Sequence, residues 1–261
     1  MKILLFFLVT LLATCHGNVQ NHEHESNFNI FPLRMKTGPG GKYIPEVSCA
    51  SWRVAVEARN IINWKTVPQE CEEYVGNYML GDQYRADSKF VNREGFFYAR
   101  TLNLKDGRDL WVFDIDETTL SNLPYYATHG FGVNPYNETL FNAWVDEGAA
   151  PALPETQKLY NKLVNLGVKI AFLTGRPLKQ KDITAKNLKE AGYHTYEKLI
   201  LKDTELYHGK TAVQYKSSER KKLEEEGWRI IGNSGDQWSD ILGTNTGERT
   251  FKLPDPLYYI A

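Results

Sequence analysis

An α/β fold built on a parallel sheet with helices on both faces is what this 261-residue sequence predicts, and three observations predict it. Leu110-Trp111-Val112-Phe113 is an unbroken apolar run, the pattern of a strand buried on both faces as parallel sheets require. After Pro154 a helical stretch, a glycine and an apolar run recur three times, the alternation that right-handed crossover connections produce. The apolar runs also stop at residues that carry chemistry, and in such sheets ligands gather beyond the carboxyl ends of the strands.

The elements follow in order. Met1 and Lys2, then the apolar run Ile3 to Ala13, give residues 1–17 the basic start and short apolar body of a secretory signal. The run falls short of the ~20 residues a spanning helix needs. No membrane partner is therefore expected, and the mature chain is expected to be secreted or vacuolar. Residues 18–48 form a polar leader with a turn cluster at Gly38-Pro39-Gly40-Gly41. Residues 49–105 turn helical, with Val54, Ala55, Ala58, Ile61 and Ile62 at three- and four-residue spacings and an interruption near Pro68. Trp52 and Trp64 in this extension read as packing residues in preference to a ligand surface. Cys15 leaves with the signal, so Cys49 and Cys71 remain as an even pair for which an oxidising compartment predicts a disulfide. A metal pair or a catalytic thiol is the weaker alternative, since neither cysteine is followed by the arginine of a cysteine-phosphatase loop.

Beyond the first strand, residues 120–153 are long for a connection and rich in aromatic and turn residues, among them Tyr125, Tyr126, His129, Phe131, Phe141 and Trp144. Such an insertion suits a small cap over the strand ends. Asn137-Glu138-Thr139 is a glycosylation sequon, which makes Asn137 a candidate glycan site on a surface loop. The repeating part then runs from the helix Glu155 to Leu166, Gly167 and the strand Val168 to Leu173, through Gly192 and the strand Lys198 to Leu201, to the helix Ser217 to Glu226, Gly227 and the strand Trp228 to Ile231. Phe251 to Pro254 can add a last short strand.

With 42% hydrophobic and 13% aromatic residues the chain can bury one sizeable core, so one α/β domain over residues 49–261 is expected rather than two. The formal net charge of −1 offers no field for a phosphate backbone, and nucleic acid is not an expected partner.

The residues after the strands share one theme. Asp114 and Asp116 end the first; Thr174, Gly175 and Arg176 follow the second; Lys216 stands in a turn before a helix; Gly235, Asp236 and Asp240 follow Ile231. Phosphoryl transfer needs these types together. A phosphate dianion repels an anionic nucleophile unless a lysine and a divalent cation neutralise its oxygens. Clustered carboxylates repel one another without such a cation, and magnesium prefers oxygen ligands. Arg176 reads as a surface arginine, or as one that steers substrate. None of His129, His194 and His208 sits in an Arg-His-Gly context, so a phosphohistidine mechanism has no support.

The order Asp114-Ile115-Asp116-Glu117-Thr118, Thr174, Lys216 and Gly235-Asp236 to Asp240 resembles the four-motif signature of the haloacid dehalogenase (HAD) superfamily. The runs Trp111 to Thr118, Ile231 to Asp240 and Phe251 to Tyr259 resemble the plant secreted acid phosphatases and vegetative storage proteins within it. The resemblance implies a HAD-like Rossmannoid sheet with a small cap insertion and a helical N-terminal extension. It implies Asp114 as the nucleophile that forms an aspartyl phosphate, and Asp116 as the general acid and then base. Asp116 must then be tuned above the ordinary carboxylate pKa of about 3.9. It further implies Thr174, Gly175 and Lys216 as phosphoryl-binding groups. Mg2+ would be held by Asp114, Asp236 and the backbone carbonyl of Asp116, with Asp240 reaching the metal through water. The function so implied is acid phosphatase action on small-molecule phosphate monoesters. The alternative is a nitrogen reserve protein with residual phosphatase activity, and transfer to an alcohol instead of water would use the same residues. Oligomeric state is left open, a homodimer included.

Overall fold

Five consecutive residues, Asp109–Phe113, form a strand (β1) in which every side chain is buried, because the strand lies mid-sheet with helices on either side. The computed structural model describes residues 48–105 and 107–261. The expected signal peptide and all but the last residue of the expected leader lie outside the described residues. Among these residues the other strands are β2 (Lys169–Pro177), β3 (Lys198–Lys202), β4 (Arg229–Gly235) and β5 (Thr250–Lys252). All neighbours pair in parallel, in the order β3-β2-β1-β4-β5. The expected α/β architecture is present.

Alternation along β1 divides the core in two. Trp111 and Phe113 face one side, packed with Ile170 and Phe172 against Ala99, Leu159 and Leu163. These last come from helices α3 (Asp82–Thr101) and α6 (Pro154–Asn165). Leu110 and Val112 face the other side with Ala171, Leu173, Tyr215 and Leu223, the last two from α8 (Ala212–Glu225). Between α6 and α8, helix α7 (Lys181–Glu190) carries the crossover from β2 to β3. The helix-glycine-strand rhythm is real: Gly167, Gly192 and Gly227 each take a left-handed φ, of 84°, 92° and 90°, where a helix ends and the chain turns back to the sheet.

Helix boundaries differ from the sequence reading in one place that matters. Lys216 was expected in a turn preceding a helix, yet it lies inside α8. Thr211 accepts from the Gln214 backbone N–H while the Gln214 side chain accepts from Thr211 N–H, and this capping box starts the helix well before Ser217. The predicted apolar face of the extension is also only partly buried. Helix α1 (Cys49–Glu57) buries Trp52 and Val56 and leaves Val54 exposed, and Ile62 lies exposed beyond its end.

Helices α1 and α2 (Glu72–Leu80) are tied by the expected disulfide Cys49–Cys71, with Cα atoms 5.4 Å apart. They build a second core in which Trp52, Val75 and Tyr78 meet Tyr125 and Tyr126. These tyrosines belong to α4 (Leu123–Thr128), the first helix of the inserted segment, and α5 (Glu138–Glu147) is the second. The insertion is a closed excursion. Leu120 bridges Ala152, Ser121 N–H donates to the Pro151 carbonyl at 2.8 Å and Leu153 N–H to the Thr119 carbonyl at 3.0 Å. Its two ends are thereby pinched together beside the end of β1, which holds the cap residues above the carboxyl edge of the sheet. No helix among the described residues is long and apolar enough to cross a membrane.

Candidate active site

Strand pairing does the first part of the assembly. The Asp114 N–H donates to the Ser234 carbonyl at 2.9 Å, so the β1–β4 ladder continues one residue past Phe113 and sets Asp114 beside Gly235 and Asp236. A short helix, α9 (Trp238–Ile241), then folds Asp240 back over the strand end. Gly235 is required there, because a Cβ at that position would lie 2.2 Å from the Asp240 Cβ. The result is three buried carboxylates, Asp114, Asp236 and Asp240, each with an oxygen within 4.8 Å of the others.

Lys216 supplies the counter-charge from α8. Its Nζ donates to Asp114 Oδ1 at 2.5 Å and also to Asp240 Oδ1. Burial works against the Lys216 ammonium, but Asp114 and Asp240 outweigh it and hold its pKa above the ordinary lysine value. Burial raises the Asp114 carboxyl, Lys216 opposes that rise, and Asp240 and Asp236 add to it. Burial, Asp240 and Asp255 likewise push Asp236 up. Three carboxylates facing one ammonium leave a deficit of two positive charges, which one divalent cation would cancel. An all-oxygen donor set selects a hard ion. These residues therefore fit the divalent cation that the motifs imply.

The donors around the triad fix its orientation. Asp236 accepts from Thr118 Oγ1 at 3.0 Å, Gln237 Nε2 at 2.8 Å and the Tyr258 hydroxyl at 3.2 Å. Gln237 Nε2 also donates to the buried Asp255, and Gln237 N–H donates to Asp240 Oδ2 at 2.9 Å. The Asp240 carboxylate, expected to act through water, stands in the same cluster as Asp114 and Asp236.

Asp116 faces a different partner. Arg176 Nε lies 3.1 Å from both Asp116 oxygens and Nη2 lies 2.8 Å from Oδ1, a forked pair with both side chains largely out of solvent. This corrects two expectations. Arg176 is no surface residue; it is 4% exposed. Nor is Asp116 tuned upward here: burial raises it, but the charge and hydrogen bonds of Arg176, with a bond from Asn122, bring it below the ordinary carboxylate value. A signal for Arg176 was present in the sequence. Thr174 and Arg176 are two apart on one strand, so their side chains share a face while Gly175 between them points the other way.

Thr174 is fully buried, with its hydroxyl 3.4 Å from Asp116 Oδ2 and accepting from Arg176 N–H at 3.1 Å. The Tyr215 hydroxyl donates to the Thr174 carbonyl at 3.0 Å and so locks α8 to β2, which sets the buried Thr174 beneath the cavity that Lys216 lines. Gly175 is exposed and lines the same cavity. That cavity has a volume of about 730 Å3 and is walled by Tyr125, Tyr126 and Phe141 from the cap and by Trp64 from the extension. Trp64 thus combines two positions, packing edge-on against Trp52 at 5.3 Å and facing the cavity. Asp114, Asp116, Lys216 and Asp240 all line it, and Asp236 lies just beneath. Glu117, Asn122, Gln237 and Asp255 were missed by the sequence reading. Glu117, Gln237 and Asp255 fall inside the runs that carry the resemblance, whereas Asn122 carried no signal.

The family described as HAD superfamily, subfamily IIIB (Acid phosphatase) matches residues 34–261. Over its whole length the chain is 54% identical to a stem 28 kDa glycoprotein of Glycine max, covering 99% of that protein. It is 44% identical to acid phosphatase 1 of Solanum lycopersicum, with both chains covered in full, and 41% identical to vegetative storage protein 1 of Arabidopsis thaliana, covering 99% of that protein. A class C acid phosphatase structure from Bacillus anthracis shares the fold, with a TM-score of 0.61 at 21% identity, covering 73% of this chain and 86% of that one.

Proposed function

We propose that this chain, which belongs to the HAD superfamily, subfamily IIIB (acid phosphatase), hydrolyses small phosphate monoesters through an aspartyl phosphate at Asp114. The observation that carries the reading is the meeting of Asp114, Lys216 and Asp240 at one cavity, with Asp236 buried in the same carboxylate cluster and Thr174 buried against Asp116. An Asp114 oxygen attacks phosphorus in line, and the bond to the leaving oxygen breaks with its electron pair. The carboxyl of Asp116 gives that oxygen its proton. Water then attacks phosphorus, its proton passes to Asp116, and Asp114 is released with inorganic phosphate. Thr174 Oγ1, the Gly175 backbone N–H and Lys216 Nζ bind the phosphoryl oxygens and disperse their charge. Arg176 holds Asp116 ionised in the free site, and an arriving phosphate dianion offers Arg176 a competing partner, which frees Asp116 to carry a proton.

Mg2+ is the cation we assign. Asp114, Asp236 and the Asp116 carbonyl would hold it, with Asp240 beside them directly or through water. When bound it supplies Lewis-acid stabilisation of the phosphoryl charge. The relatives named as vegetative storage proteins favour a second role as an amino-acid reserve, which the intact Asp114 makes compatible with catalysis. The signal-like start supports secretion or delivery to the vacuole. Asn137 supports a glycan: it is exposed, its Oδ1 caps α5 by accepting from Leu140 N–H at 3.1 Å, and Nδ2 remains for the sugar.

The test is hydrolysis of an aryl phosphate by wild type and Asp114→Asn, with and without chelator. The variant is expected to lose about a thousandfold in rate, roughly 4 kcal/mol of transition-state stabilisation. Chelation should silence the wild type. Most of the activity surviving in the variant would reject the nucleophile.

A further inference from the structure

Asn122 spends every polar atom on the site. It is fully buried. Its backbone N–H donates to Glu117 Oε1 at 2.6 Å, and its Nδ2 donates to Glu117 Oε2 at 2.9 Å and to Asp116 Oδ1 at 2.8 Å. Its Oδ1 accepts from Trp144 Nε1 at 2.9 Å, and its backbone carbonyl starts α4 by accepting from Tyr125 and Tyr126. Trp144 lies on α5, whose Leu140, Phe141 and Asn142 line the cavity.

Glu117 explains why such a clamp is needed. It is wholly buried and has a φ of 49°, a left-handed conformation that costs a non-glycine residue of order 1 kcal/mol or more. Asn122 is the group that ties its carboxylate down, through two donors. The strained residue directly follows Asp116, so relaxation of the turn would rotate the Asp116 carboxylate out of its place. Nothing in the phosphoryl-transfer step uses Glu117, Asn122 or Trp144, yet Asn122 bonds Asp116 and Glu117 on one side and Trp144 on the other.

We propose that Asn122 is a positioning residue that aims Asp116 at the leaving-group oxygen, and that Trp144 ties this aim to the cap helix lining the leaving-group side of the cavity. The proposal rests on the phosphatase reading and assigns this relay the proton-donating half of its first step. An alkoxide leaves poorly without a proton, whereas a nitrophenolate leaves well without one. Damage to the relay must therefore fall on alkyl esters and spare activated aryl esters.

The experiment compares kcat/KM for glycerol phosphate and 4-nitrophenyl phosphate in wild type, Asn122→Ala, Trp144→Phe and Asp114→Asn, in the full chain with Mg2+. Asn122→Ala is expected to lose about 100-fold on the alkyl ester and less than about threefold on the aryl ester, the scale of general-acid assistance. Trp144→Phe, which removes one hydrogen bond and keeps the ring, is expected to show a smaller loss with the same selectivity. Equal losses on both esters, or no loss in a folded variant, overturn the relay and leave the phosphatase reading intact. If Asn122→Ala does not fold, as judged by circular dichroism, the ester ratio of Trp144→Phe decides: a ratio equal to wild type overturns the proposal. Most of the activity surviving in Asp114→Asn on either ester rejects the aspartyl-phosphate reading instead.

Discussion

Replacing Lys216 with methionine should expose how much of this site is held by one charge. The lysine side chain is 6% exposed and sits between Asp114, 7% exposed, and Asp240, 3% exposed. Methionine fills a similar volume and leaves Asp114, Asp236 and Asp240 buried together with no compensating cation from α8. Breaking a buried ion pair by deleting one partner costs about 3–5 kcal/mol, so a loss of that size is expected in chelator at neutral pH. Two conditions should restore part of it. Mg2+ binds the folded state, and at 100 times its dissociation constant would return about 2.7 kcal/mol. Acid should also help. With Lys216 gone, burial still holds the folded pKa values of Asp114 and Asp236 above their unfolded ones, so at these two groups the folded state binds more protons. Their contribution to stability is then greatest below about pH 4, the unfolded value, and is lost as pH rises through the folded values. Urea melts at several pH values, with Mg2+ and with chelator, read these terms separately. A variant within 1 kcal/mol of wild type and indifferent to Mg2+ would refute the claim that the three carboxylates form an uncompensated charge cluster.

Other outcomes follow from the same geometry. Arg176→Gln removes the forked partner of Asp116 and should cost at least about tenfold in kcat/KM for phosphate esters while leaving the fold intact; unchanged steady-state kinetics would return Arg176 to a structural role. Asp255 is pushed up to about 8, first by burial and then by Glu117. A raised folded value means that stability is lost as pH rises from the unfolded value of about 4 toward 8, by at most about 1.4 kcal/mol per pH unit. Asp255→Asn should flatten that slope in metal-free urea melts, and an unaltered slope would place the titration elsewhere. Cys49→Ser with Cys71→Ser opens a link across a sequence separation of 22 and should lower stability by about 3 kcal/mol in the chain-entropy model, read as a lower urea midpoint. Catalytic constants should change little, because neither cysteine lines the cavity and Trp64, which does, remains packed against Trp52.

The parts of this molecule legible in sequence were those written in local pattern. An apolar run on β1, three glycines closing helices and four ordered motifs, three at strand ends and one on a helix, were enough to place the sheet and to bring Asp114, Thr174, Lys216 and Asp236 together. What stayed hidden depends on partners distant in the chain. Arg176 shares a strand face with Thr174, but its partner Asp116 lies 60 residues away and no local pattern names that pairing. That pairing reverses the inference about proton affinity, because desolvation alone would raise Asp116 and only a fixed guanidinium brings it down. Asn122 is less visible still: its three side-chain bonds reach Asp116, Glu117 and Trp144, and no spacing rule joins those positions. The motifs therefore supply the groups that meet phosphorus, and unmarked residues from the strand end and the cap decide which of those groups is charged and where it points. A variant at Arg176 or Asn122 should consequently alter proton delivery more than phosphate binding, whereas one at Lys216 or Thr174 should do the reverse.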